Sequence, residues 1–332
     1  MIFSRSDYNC FWASDLYLFV VTTRSFTVLL LRYNMTMEKM HDEDMKKPMI
    51  KLLHMGNSLQ YLNDCPGALH KMLVDSGQFS HVSHENCLRG GANLVSLHQY
   101  GTHWFRKWIG IDYGTSTVEE LFATVDDLER NKEDPNPAHQ YVFAVFNDDS
   151  RAPARPSFRE PSLQALDDVY SPLVKAAKAI PIFLETAAYS QEGYYWTKDL
   201  GDFDQFTKSV QEGCLLYKAK MEAFLHPDDE SRCYIAKVET AYKLLYDEDR
   251  EFWKKLYAID PIHPSCYGTL LEAYVLYFTV MKHMDLHGTE VPKYDPGWLA
   301  PWVRLPVPTN DEAQRLCDVA KRVFDEQSNA AE

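Results

Sequence analysis

MIKLLHMGNS, residues 49–58, decides the fold. Met49 to Met55 is a short apolar run that stops at Gly56, and the polar pair Asn57 and Ser58 follows at once. A run of that length bounded by glycine suits a strand buried on both faces of a parallel sheet. A helix is expected next, across Cys65 to Gly77, where Leu69, Met72 and Leu73 recur at helical spacing. FSHVSHE (Phe79 to Glu85) reads as a second, weaker strand ending in the turn-rich RGGAN, and LVSLHQYGTHWFRKWI then reads as helix.

The alternation continues. EELFATVDDLERN presents another helical face, and a polar loop spans Asp134 to Pro137. YVFAVF (Tyr141 to Phe146) is the strongest strand, aromatic and β-branched. Leu163 to Ala179 suits a helix, IPIFLET (Ile180 to Thr186) a fourth strand and CYIAKVE (Cys233 to Glu239) a fifth. ETAYKLLYDEDREFWKKLYA is mostly helical, and GTLLEAYVLYFTVMKHM (Gly268 to Met284) is a last core helix. A Pro/Trp-rich tail leads to an amphipathic helix through Ala313, Leu316, Val319, Ala320 and Val323. Strands alternating with helices imply an α/β fold whose parallel sheet is covered on both faces.

Composition bounds the function. The chain has 332 residues, 45% hydrophobic, enough for a sizeable core in one α/β domain. Its formal net charge of −14, with no clustered Lys/Arg stripe, argues against a nucleic-acid partner. Seven cysteines, widely spaced and without a C-x-x-C pair, read as a reduced intracellular protein, which leans the compartment towards the cytoplasm. Residues 1–47 stand apart as an N-terminal extension. LYLFVVTTRSFTVLLL (Leu16 to Leu31) is interrupted by Arg24, falls short of the roughly 20 apolar residues of a span and lacks a signal-peptide cleavage pattern. An upstream extension beyond the working start is favoured over a weak targeting segment or an added element, and no stable membrane span is expected.

Chemistry concentrates at strand and loop ends, where sites form in open parallel sheets. Ser58 follows the first strand directly. Taken alone it is an N-cap residue. Asp260 and His263 lie three apart in DPIHPS, a proline-stiffened loop where a carboxylate can orient an imidazole and free its other nitrogen as a base. Gly91 allows its backbone N–H close approach to a ligand, and Asn147, directly after YVFAVF, could donate its side-chain amide to an oxyanion. Their plainer readings are a turn glycine and an Asx-turn asparagine.

In order along the chain, these residues resemble the blocks of the SGNH (GDSL-type) hydrolase superfamily, over roughly Met49 to Met284. HMGNS is similar to its first block, RGGANL to its second, VFNDDS to its third and DPIHPS to its fifth. GNSLQYLND, GGANL, Ser150 with Pro153, and LYAIDPIHPSCYGTLLEAY are similar to a branch with GNS openings. Asn57 stands where the superfamily has Asp, and the third block lacks its leading Gly, with Val145 and Phe146 there instead.

The resemblance implies a flavodoxin-like three-layer α/β/α sandwich with strand order 2-1-3-4-5. It implies catalysis by Ser58, His263 and Asp260, and an oxyanion hole from the Ser58 and Gly91 amides and Asn147. It calls for an ester substrate, small or carbohydrate-linked, with no cofactor and no metal. A non-catalytic ligand-binding protein on the same scaffold, and a lipase or thioesterase for longer acyl chains, are the rival readings.

Other constellations count for less. His98 with His103 lack the i, i+4 spacing and a nearby carboxylate and read as surface histidines, His81 with His84 as strand-edge residues, and His283 with His287, at i, i+4, as cations suited to a helix C-terminus. The aromatic stretch Tyr189 to Phe206, with Tyr194, Tyr195 and Trp196, is either a substrate-lining lid or an insertion packed on the core.

Overall fold

A computed structural model describes residues 47–102, 117–122, 140–191, 194–225, 233–286, 290–301 and 305–329. All belong to one unit, Lys47–Glu332. The expected N-terminal extension, except Lys47, lies outside the described residues, as do His103, most of EELFATVDDLERN, the loop Asp134 to Pro137, His287 and Trp302.

Five strands form one parallel sheet in the order β2-β1-β3-β4-β5: β1 (Met49–Gly56), β2 (His81–Leu88), β3 (Gln140–Phe146), β4 (Ile180–Leu184) and β5 (Tyr234–Ala236). The order is the one expected. β1 lies inside the sheet between β2 and β3, and Ile50, Leu52, Leu53 and Met55 are all buried, which only a strand covered on both faces permits. Burying each such side chain contributes about 1.5–3 kcal/mol.

After β1 come α1 (Ser58–Tyr61) and α2 (Cys65–Asp75), then α3 (Leu94–Tyr100) beyond β2. Between β3 and β4 lie α4 (Arg151–Ala154), α5 (Pro156–Ala165) and α6 (Ser171–Ala176). The long α7 (Phe203–Leu225) precedes β5, and α8 (Val238–Glu248), α9 (Arg250–Lys254), α10 (Cys266–His283) and α11 (Asn310–Asn329) follow it. The crossover from β1 to β2 runs opposite to the later ones, so right-handed connections place α2 on one face and the helices after β3 on the other. Accordingly α2 packs with α10, which carries α11, while α7 packs with α4, α6, β4 and β5. The result is the three-layer sandwich.

One helix differs from its sequence reading. The single helix expected over Leu163 to Ala179 starts earlier, at Pro156, and is divided by a π-helical turn, Leu166–Tyr170. Pro172 has no N–H to donate, and the ladder slips so that the Ser171 N–H bonds the Leu166 carbonyl, five residues back. The slip turns Tyr170 inward, where its ring meets Phe146 edge-on at 5.6 Å and its hydroxyl donates to the Leu94 carbonyl at 2.7 Å. The six described cysteines are all buried and free, without a disulfide among them. No described helix is long and apolar enough to cross a membrane.

Candidate active site

β1 delivers Ser58. The strand ends at Gly56 with φ +155°, and a Cβ there would lie 1.7 Å from Asn147 Oδ1. Only glycine lets β3's exit press so closely on the turn. Asn57 caps α1, its Oδ1 accepting from the Leu59 N–H at 3.0 Å. Ser58 is therefore the first residue of the helix, and it is buried.

An amide network fixes this shoulder. Asn57 Nδ2 donates to the Ala92 carbonyl at 2.8 Å, and Asn147 Nδ2 donates to Asn57 Oδ1 at 2.8 Å. Asn147 Oδ1 accepts from the Asn57 N–H at 3.1 Å and from Gln60 Nε2 at 2.7 Å. Those two donors fix which end of the Asn147 amide is oxygen. Gln60 Oε1 lies 2.8 Å from Nδ1 of the fully buried His54, whose pKa burial lowers to about 3, so the ring is neutral and donates. Asn57 both donates and accepts here, which an ionised Asp could not do.

The loop between α9 and α10 brings the other partners. Ser58 Oγ lies 2.9 Å from His263 Nε2, and His263 Nδ1 lies 2.8 Å from Asp260 Oδ2. The second Asp260 oxygen accepts from the His263 and Ile262 N–H groups at 2.8 and 2.9 Å. Partial burial raises the Asp260 pKa, but the bonds from the His263 ring and from these two amides outweigh it and hold the carboxyl below its usual range. An ionised Asp260 accepts a hydrogen bond from Nδ1–H and so keeps the ring proton on that nitrogen, which leaves the Nε2 lone pair facing the serine hydroxyl.

Gly91 sits in a turn beside this pair with φ +66° and open space around it. The Ala92 carbonyl that receives Asn57 is its neighbour, and neither the Gly91 nor the Ser58 N–H makes a backbone hydrogen bond to a described residue. Asn147 differs from its expectation as a free donor. One amide hydrogen is held by Asn57 and the other reaches the Asp148 carbonyl at 3.2 Å. In this geometry Asn147 first braces the turn that carries Ser58.

Three buried acids had no sequence signal of their own. Asp148 accepts from Ser162 Oγ at 2.7 Å, Tyr217 OH at 3.0 Å and its neighbour's N–H, and so pins β3's exit to α5 and α7. Burial lifts it to about 6. Glu239, at the start of α8, accepts from the Ala188 N–H at 2.8 Å and from the Thr207 hydroxyl. Glu185 accepts from the Thr240 N–H and hydroxyl. Burial raises Glu239 to about 8 and Glu185 to about 7. Together they hold the strap that leaves β4. The Ala188 carbonyl accepts from Tyr257 OH at 2.7 Å, and the Ser190 N–H donates to the Pro261 carbonyl, between Asp260 and His263, at 2.9 Å. A buried acid is legible as structural only once its donors are in place, and those come from distant segments.

Among the described residues no cluster of three or more His, Cys, Asp or Glu is placed to hold a metal. His283 Nδ1 lies 2.8 Å from Tyr234 OH.

No family model and no curated protein sequence matches the chain. Among solved structures the chain is similar to a protein from Slackia heliotrinireducens assigned to the SGNH hydrolases, at 23% identity and TM-score 0.47, covering 70% of this chain and 99% of the other. It is also similar to a GDSL-like lipase from Bacteroides thetaiotaomicron, at 12% identity and TM-score 0.35, covering 71% and 87%. A third, from Bacteroides fragilis and assigned as an acylhydrolase, has 10% identity and TM-score 0.33, covering 74% and 94%. At these values the reading of the site rests on its own geometry.

Proposed function

We propose that the protein is a serine hydrolase of the SGNH (GDSL-type) superfamily that cleaves esters through Ser58, His263 and Asp260. The observation that carries this reading is the unbroken line of hydrogen bonds from Ser58 Oγ to His263 Nε2 and from His263 Nδ1 to Asp260 Oδ2, at 2.9 and 2.8 Å. Three residues from segments about 200 positions apart meet in the one order that activates a hydroxyl.

The mechanism follows from the atoms. His263 Nε2 takes the Ser58 proton as Oγ attacks the ester carbonyl. The carbonyl oxygen becomes an oxyanion held by the Ser58 and Gly91 N–H groups. Asn147 joins them by giving up its longer bond to the Asp148 carbonyl. The imidazolium, stabilised by Asp260, returns the proton to the departing alcohol and leaves an acyl group on Ser58. Water repeats the cycle: His263 takes its proton, the hydroxide adds, and the acid is released as the proton goes back to Oγ. The chemistry needs no cofactor. The substrate is a small or carbohydrate-linked ester.

The test compares the wild-type chain with Ser58→Ala on p-nitrophenyl acetate. The reading expects turnover that falls on the order of 10⁴-fold or more in the variant. A folded wild type no faster than Ser58→Ala would overturn it.

A further inference from the structure

The exits of β3 and β4 build a second feature beside the proposed triad. Ser150 Oγ donates to the Ala187 carbonyl at 2.9 Å, tying the two loops together. Arg151 pairs with Asp149 through two side-chain bonds, Nε to Oδ1 at 2.8 Å and Nη2 to Oδ2 at 2.6 Å. The guanidinium also lies 5.5 Å from the centre of the Trp196 ring. Trp196 is held from behind: Arg155 Nη2 donates to its carbonyl at 3.0 Å, and Tyr194 meets its ring edge-on at 5.6 Å. Yet 49% of Trp196 is exposed. An indole fixed at its backbone and its edge, with Arg151 over its ring and half of its surface open to solvent, is an aromatic platform with room for a ligand.

The chemistry of the platform selects its ligand. Asp149 occupies the Nε–Nη2 edge of Arg151, which leaves the Nη1 hydrogens without a partner among the described residues. The pair is neutral overall, so it does not favour an anion. It offers donors on Arg151 and a spare lone pair on Asp149 Oδ2, a pattern that matches adjacent hydroxyl groups. A long acyl chain would desolvate this ion pair with nothing in return. A sugar ring has hydroxyls for the pair and an apolar C–H face for the indole.

Asp149 is two residues from Asn147, within about 7 Å of chain, and Asn147 bonds Asn57, the neighbour of Ser58. On the other side, Ser190 bonds Pro261 in the loop of His263. Its neighbour Tyr189 meets the Tyr194 ring at 5.9 Å, and Tyr194 meets Trp196, so ring contacts link the platform to the strap that bonds the loop of His263. We propose that Asp149, Arg151 and Trp196 form a subsite for a neutral sugar, the alcohol half of the ester. The inference rests on the serine-hydrolase reading above for the ester, but the subsite itself is testable without turnover.

Two measurements decide it. In the first, kcat/KM is taken for 6-O-acetylglucose, whose ring hydroxyls are free, and for p-nitrophenyl acetate with the wild type, Trp196→Ala, Arg151→Met and Trp196→Phe. The ratio of the first substrate to the second should fall about tenfold in Trp196→Ala and Arg151→Met and recover in Trp196→Phe, which keeps a stacking face. In the second, 6-O-acetylglucose is titrated calorimetrically into Ser58→Ala and into Ser58→Ala combined with Trp196→Ala. Binding should weaken about tenfold in the double variant. A wild type inactive on both esters would overturn the hydrolase reading while the titration still decides the subsite. An unchanged ratio and unchanged binding would overturn the subsite. So would a loss in Trp196→Ala that grows with acyl length on p-nitrophenyl butyrate and octanoate, which would assign the platform to an acyl chain.

Discussion

The shoulder that carries Ser58 and the loop that carries Asp260 and His263 are held in opposite ways. Ser58, Asn57, Gln60, His54 and Asn147 are all buried, and each amide answers another within one network. The acid–base loop lies at the surface, with Asp260 exposed and its neighbour Ile259 87% exposed. Beside bonds of its own, such as the Ala258 N–H to the His263 carbonyl at 2.8 Å, its position comes from outside: Ser190 on Pro261, Asn63 Nδ2 on the Pro264 carbonyl at 3.0 Å, and Tyr257 on the strap behind. Burial makes a polar network rigid because each unpaired group is costly. An exposed loop gains no such rigidity and borrows it from buried acids one layer below. The nucleophile is thus fixed by its own surroundings, and the base by a relay.

That contrast can be broken at several points. Asp260→Asn should have the largest effect, a fall in kcat on the order of 10⁴-fold, because the imidazole loses the carboxylate that sets its tautomer. Steady-state kinetics with an unchanged melting profile would check it, and a loss below tenfold would remove Asp260 from the proposed triad. Asn147→Ala comes next. It should lower kcat on the order of 100- to 1,000-fold as an oxyanion donor and also cost about 1–3 kcal/mol of stability by orphaning Asn57 and Gln60. Denaturant melts beside kinetics separate the two roles: a stability loss with kcat intact would leave Asn147 a brace only.

Glu239 probes the relay. Glu239→Ala should lower kcat on the order of tenfold while Glu239→Gln, which can still accept from Ala188 and donate to Thr207, restores it. Its protonation adds a sign. The carboxyl is raised from an ordinary 4.5 to about 8 in the fold, so the folded state holds a proton that the unfolded chain releases. Stability therefore falls as pH rises from about 4.5 to about 8, and Glu185, raised to about 7, adds the same slope. Melting temperatures between pH 5 and 9 should decline in the wild type and less steeply in Glu239→Gln, where Glu185 still contributes; parallel curves would refute the shift. Smallest is Gly91→Ala. Its Cβ meets open space, so the cost is the φ of +66° alone, about 1–2 kcal/mol, read as a lowered melting temperature.

Much of this was legible early. MIKLLHMGNS, YVFAVF and IPIFLET give buried strands because runs of apolar residues between turn signals have few alternatives, and the strand order follows the resemblance carried by four short blocks. The departure over Leu163 to Ala179 was not legible, since apolar spacing does not register a missing N–H at Pro172. Ser58, His263 and Asp260 were nameable from local sequence, because a residue's chemistry is its own. Asn147 was nameable too, but its double engagement with Asn57 and Asp148 was not. Nor were Asp148, Glu185 and Glu239, or the pairing of Arg151 with Trp196.

The sequence by itself determined the alternation of elements, the residue types available for chemistry and the strand ends at which they sit. Only the tertiary structure decided which hydrogens remain free, which carboxyls are buried and which loops lean on one another. The reason is physical: identity is fixed along the chain, whereas desolvation and hydrogen-bond partnership are set by groups more than 200 residues away that meet only when the sheet has formed.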